Sequence, residues 1–297
     1  MSSLREEFAD RGVVRIPNAF LAEAAAAIAD TVWGSVERRS DIRRDDASTW
    51  PNGGGASGLS FKNLKGRRAF EPVVRSEPVQ AAFDELLGVG AWTPPPIRAQ
   101  ILLSFPSPGP WVMPSTWHID GGFDAPTWPP PAIRMFSCFD TVAPEGGGTL
   151  LLEGSHRLVE RYMAEQPAPI AGNSVTWGRF LRHHPALEVL RRRHTPDAPR
   201  RDLVGATIDV DGVDVRVVEV TGSPGDLYLA HFHVFHTGAP NVSARPRQML
   251  STTVKPRNSE IPTSRSSTSG VPIRVPGTPG ADSHTSKDPS CGSTNDR

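Results

Sequence analysis

Trp117-His118-Ile119-Asp120 sets an imidazole and a carboxylate two residues apart. On an extended strand such side chains leave the same face, so His118 and Asp120 can converge on one ion. A pair of this kind is by itself commonly a hydrogen-bonding pair, and a metal needs a third donor from elsewhere in the chain. Residues 225–247 contain three histidines, His231, His233 and His236, followed by Arg245 and Arg247. Strand alternation puts His231 and His233 on one face and does not choose among the three. Two imidazoles and one carboxylate on one side of a metal leave adjacent coordination positions open, a donor set that suits iron(II) oxygenases. The absence of thiolate donors argues against a structural zinc site.

The elements that must position these residues read as mainly β with flanking helices. Short β-like runs at 98–105, 115–120, 132–142, 149–153, 207–210, 213–221, 226–230 and 248–254 alternate with Gly/Pro turns, as in a double-sheet jelly roll. Asp211-Gly212 between two of these runs is a hairpin turn that needs positive φ. Ahead of the strands, Ser3-Leu4-Arg5-Glu6 fits a capping box for a short helix ending near Gly12, and Val13 to Ile16 reads as a strand. Phe20, Ala24, Ile28 and Val32 recur at helical spacing behind Asn18, and a further helix is expected at 78–87. Helical patterns at 157–166 and 174–193 interrupt the strands as insertions on a barrel rim. Residues 37–69 read as a long loop.

The expected organisation is one domain over 1–256, with N-terminal helices in 1–97 and the jelly-roll core in 98–256. A Ser/Thr/Pro-rich tail at 257–297 lacks apolar periodicity and is expected to be disordered, because it cannot offset its ordering entropy. Lys plus Arg and Asp plus Glu both total 32, so no net field favours nucleic acid or an anionic membrane. The acidic N-terminus does not read as a signal peptide, and the Ala-rich stretch at 22–29 is too short to span a bilayer. Two cysteines, Cys138 and Cys291, make no disulfide framework, so a cytoplasmic setting is expected. Oligomeric state is not legible.

Four stretches together resemble the phytanoyl-CoA dioxygenase family of iron(II)- and 2-oxoglutarate-dependent oxygenases. They are Arg11-Gly12-Val13-Val14, Trp117-His118-Ile119-Asp120, the run from Gly146-Gly147-Gly148 through Gly154-Ser155-His156, and Gly225-Asp226-Leu227 leading to His236, Pro240-Asn241-Val242-Ser243 and Arg247. The resemblance implies a double-stranded β-helix, cupin-like, using Fe(II), 2-oxoglutarate and O2. It also implies His118, Asp120 and His236 as metal ligands, since His236 lies eleven residues after Gly225 and eleven before Arg247. Arg247 then anchors the far carboxylate of 2-oxoglutarate through its planar fork, with Arg245 as its rival, and Gln100 matches a co-substrate contact. His156 is implied to be structural.

The implied activity is hydroxylation of a small-molecule substrate with release of succinate and carbon dioxide. Relatives that halogenate lack the metal carboxylate, so Asp120 favours hydroxylation. Two rival classes are a non-catalytic metal-binding jelly roll, which does not need Arg247, and a zinc hydrolase, which needs a general acid–base beside the metal. Trp111, Trp117, Trp128 and Trp177 are either pocket walls or packing, and Arg191-Arg192-Arg193 reads as a solvated helix end. The rim segments 37–69 and 157–205 match nothing specific, so the substrate is not legible.

Overall fold

Ser3 accepts a hydrogen bond from the Glu6 backbone while the Glu6 carboxylate accepts from Ser3 N–H, and this capping box starts α1 (Leu4–Arg11). Gly12 ends the helix at φ 69°, a left-handed position, and the chain enters β1 (Val13–Ile16). The second helix, α2 (Ala22–Glu37), starts later than its apolar spacing suggests. Asn18 sits at positive φ, and its N–H donates to the Asp226 carboxylate rather than opening the helix. Helices α3 (Glu71–Arg75) and α4 (Glu77–Leu87) follow. This computed structural model describes residues 3–52, 61, 70–94, 100–120, 129–165 and 174–257.

The strands are β2 (Trp92–Thr93), β3 (Gln100–Ser104), β4 (Ile133–Cys138), β5 (Thr149–Glu153), β6 (Thr207–Val210), β7 (Val213–Glu219), β8 (Leu227–His231), β9 (His236–Gly238) and β10 (Arg247–Pro256). They form two antiparallel sheets. The larger runs β1-β8-β4-β10-β2, with β3 also pairing β10, and the smaller runs β6-β7-β5-β9. Together they make the double-stranded β-helix, or jelly roll, expected from the strand spacing.

Alternation divides each sheet between two cores. Leu227, Leu229, Ile133, Met135 and Leu250 face outward from the larger sheet and pack against Phe8, Ile28, Val32 and Phe83 of the N-terminal helices. Leu150, Leu152, Val215 and Val217 of the smaller sheet pack against α5 (Ser155–Ala164) and α6 (Ser174–His183) through Leu158, Val159 and Phe180. Between the sheets lie Val13, Phe136, Cys138, Leu151, Tyr228 and Met249.

Asp211 and Gly212 take φ 53° and 76°, so the β6–β7 hairpin turns as its sequence requires. Two expectations are corrected. The helix expected over 174–193 is broken: α6 stops at His183, Pro185 opens a short 3-10 turn, and α7 (Glu188–Arg191) follows, because proline cannot continue the hydrogen-bond ladder. The run 115–120 is not a regular strand; it touches the smaller sheet at a single bridge, His118 with His236. Helix α3 and strands β2 and β9 were not expected, being too short to show periodicity. Much of the 37–69 loop, Trp128 and the tail from 258 onward lie outside the described residues. Among those described, no helix is long and apolar enough to cross a membrane.

Candidate metal centre

His118 and His236 are brought together by main chain rather than by side chain. The His118 N–H donates to the His236 carbonyl at 3.0 Å and the His236 N–H to the His118 carbonyl at 2.8 Å, a reciprocal pair that fixes the two backbones. Beside it, the Thr116 and Thr237 hydroxyls share a hydrogen bond of 3.0 Å. Thr237 and His236 are held in turn by β5, where Leu150 opposes Thr237 and Leu151 opposes His236. The two imidazole centroids are 4.4 Å apart.

Each imidazole is oriented by the same local device. His118 Nδ1 lies 3.2 Å from the Thr116 carbonyl and His236 Nδ1 3.1 Å from the Val234 carbonyl, two residues back in both cases. A carbonyl only accepts, so Nδ1 carries the proton in both rings and Nε2 keeps its lone pair for a metal. Asp120 Oδ2 lies 3.6 Å from His236 Nε2. That oxygen is buried and has no hydrogen-bond donor, although Arg134 Nε stands 3.2 Å away at an angle unsuited to a bond.

One ligand atom from each of His118, Asp120 and His236 lies within 4.8 Å of the others. Donors about 2.1 Å from one ion at right angles are about 3 Å apart, so a small closing movement seats a divalent ion. The orphaned Asp120 oxygen and the two oriented Nε2 atoms therefore fit a two-histidine, one-carboxylate metal. Burial pushes the Asp120 carboxyl upward, but the nearby His236, Arg134 and His118 outweigh it and hold the group below its ordinary value. Burial drives His236 down to about 4, against the opposing pull of Asp120, so the ring is neutral and able to ligate at neutral pH.

The other histidines have different surroundings. His231 and His233 are buried, with the His233 N–H donating to His231 Nδ1 at 3.1 Å, and the metal cluster among the described residues does not include them. His156 Nε2 bonds the Ala9 carbonyl at 3.0 Å, tying the first turn of α5 to α1. Trp111 and Trp117 are buried in the core of the smaller sheet, whereas the Trp177 ring lies 5.7 Å from His118 and walls the site.

Arg247 begins β10, opposite Ser104 of β3, and its Nε donates to Ser104 Oγ at 3.1 Å. It forms no ion pair among the described residues, and desolvation presses its guanidinium down to about 10. Arg245 is exposed, and its carbonyl accepts from Asn241 Nδ2 at 2.7 Å. Gln100 lies at the exposed start of β3, four residues from Ser104, with its Oε1 3.4 Å from Arg134 Nη2. The β3 side chain bonded to Arg247 is thus Ser104. Sequence reasoning missed Ser104, Arg134 and Phe136, whose ring lies 6.2 Å from that of His236. Inward alternation along β4 and β3 is the signal that places all three.

No curated protein matches the chain. Among solved structures, the non-heme alpha ketoglutarate dependent epimerase SnoN from nogalamycin biosynthesis is 15% identical, with a TM-score of 0.50 over 85% of this chain and 82% of its own. The non-heme monooxygenase ThoJ is 16% identical, with a TM-score of 0.49 over 86% of this chain and 77% of its own. At 15% identity the likeness to SnoN is one of fold. The family model for phytanoyl-CoA dioxygenase matches residues 8–249. That span runs from α1 to β10 and takes in every residue of the centre, so the chain belongs to the phytanoyl-CoA dioxygenase family and is an iron(II)- and 2-oxoglutarate-dependent dioxygenase in type.

Proposed function

We propose that His118, Asp120 and His236 hold iron(II), that Arg247 anchors 2-oxoglutarate, and that the enzyme hydroxylates a small-molecule substrate. The observation that carries this reading is the convergence of three ligand atoms on a buried, donorless carboxylate oxygen. When bound, iron(II) with 2-oxoglutarate and dioxygen supplies the oxidising power, coupling loss of carbon dioxide and formation of succinate to oxidation of the substrate.

The chain's own residues bind, orient and exclude water. The Thr116 and Val234 carbonyls hold the two imidazoles as Nε2 donors. Arg247 offers a guanidinium already partly desolvated and held by Ser104 to the distal carboxylate of the co-substrate, which restores the missing counter-charge. Phe136 and Trp177 give the chamber apolar walls, which keep solvent from competing with the substrate. A zinc hydrolase is disfavoured because, among the described residues, the metal cluster holds no carboxylate besides Asp120, which this reading uses as a ligand. A pure binding module leaves Arg247 without a purpose. Since an epimerase is among the fold relatives, the outcome at the substrate carbon is to be measured by product mass.

The full chain loaded anaerobically with iron(II) and 2-oxoglutarate is expected to show a weak visible charge-transfer band, absent in His118→Ala. A band unchanged in that variant would sink the ligand assignment. Succinate release across acyl thioesters, amino acids, lipids and aromatic metabolites then narrows the substrate class.

A further inference from the structure

Arg134 projects from the inward face of β4 into the chamber. Its Nη1 donates to Thr253 Oγ1 at 3.0 Å and its Nη2 to Gln100 Oε1 at 3.4 Å, while its Nε lies 3.2 Å from Asp120 Oδ2 without hydrogen-bond geometry. The side chain is 19% exposed and Gln100 is exposed, so the guanidinium stands where the chamber meets solvent. Arg134 opposes Thr253, and Arg247 comes six residues earlier on the same face of β10, about 20 Å of strand away. The two arginines therefore serve opposite ends of one chamber.

Asp120 is the only carboxylate paired with Arg134 among the described residues. If its Oδ2 ligates a divalent cation, two cations share one carboxylate, and the remaining partners of the guanidinium, Thr253 and Gln100, are neutral. A partly desolvated arginine beside a metal is costly unless a further anion completes the site. Trp177, whose ring adjoins His118, also has a buried indole N–H with no acceptor among the described residues. The far end of the co-substrate already has Arg247.

We infer that Arg134 binds a carboxylate of the primary substrate, and so selects acids and sets the carbon presented to the metal. The inference rests on the metal-centre reading above. The co-substrate also carries carboxylates, and the test separates the two sources.

Full-length protein is loaded anaerobically with iron(II) and 2-oxoglutarate, and matched pairs of small carboxylic acids and their primary amides (aliphatic, aromatic and α-amino) are titrated by calorimetry and by shift of the visible band. At least one acid is expected to bind about tenfold or more tightly than its amide. Arg134→Gln should abolish that preference while changing 2-oxoglutarate affinity less than about threefold, and Arg134→Lys should restore part of it. Loss of the band in wild type would defeat the metal reading itself. Given a band, three results overturn the inference: no acid preferred over its amide, a preference that survives in Arg134→Gln, or a large loss of 2-oxoglutarate affinity in that variant, which would assign Arg134 to the co-substrate.

Discussion

Arg247 forms no ion pair among the described residues, and on the proposed reading that leaves its fork for the co-substrate. Its Nε is committed to Ser104, its Nη1 lies 3.7 Å from Met249 sulfur, and Glu219, the carboxylate that acts on it through space, is itself held by the Glu145 and Gly148 N–H groups. Arg247→Ala is expected to raise the 2-oxoglutarate requirement about 10- to 100-fold, the size of losing two charge-assisted hydrogen bonds, with iron affinity nearly unchanged. Co-substrate titration of the band beside an iron titration checks both halves; an unaltered variant would move the role to Arg245. His-x-Asp was legible as a possible ligand pair from two-residue spacing. The choice among His231, His233 and His236 was not legible from local pattern, because it depends on which backbone meets residue 118 across the barrel. Arg134 was legible only in part: alternation along β4 puts it on the face of Phe136 and Cys138, but nothing local says that this face lines the chamber.

Among the elements, the start of β8 shows how the sheet holds its register. Asp226 accepts from Asn18 N–H and Ser223 N–H, each at 2.9 Å, and pairs with Arg15 at 2.7 Å, fastening β8 to β1 and to the turn before α2. Just before it, Gly225 has φ 98°, and a Cβ there would run into the Phe20 carbonyl, so the approach needs glycine. Asp226→Ala is expected to cost about 2 kcal/mol, chiefly through the two orphaned N–H groups because Arg15 is half-exposed; urea unfolding measures it. The charge-transfer band should persist in the folded variant, since Asp226 does not touch the metal ligands. Strands with clear alternation and the capped α1 were legible because their signals are local. Strand β9 was not, since three residues carry no period, whereas the split between α6 and α7 was signalled by Pro185 and overlooked.

At the scale of the whole molecule, stability depends on pH through buried histidine. Burial drives His156 down to about 4 from an ordinary 6.5, despite its bond to Ala9. The folded state therefore binds fewer protons than the unfolded state between these values, so folding is favoured above pH 6.5 and penalised increasingly as pH falls toward 4. The penalty approaches about 3 kcal/mol at the acid end. Urea midpoints between pH 7 and 4 should fall accordingly, and His156→Gln should flatten the slope; an equal slope in the variant would place the sensitivity elsewhere. The reciprocal main-chain bonds between His118 and His236 also have a meaning in time. These residues are more than a hundred positions apart, and their junction exists only once the barrel has closed. Contacts of such long range must overcome the entropy of closing the loop between them. On the proposed reading, the junction that aligns the two imidazoles for iron is therefore completed only with the chamber that confines the chemistry.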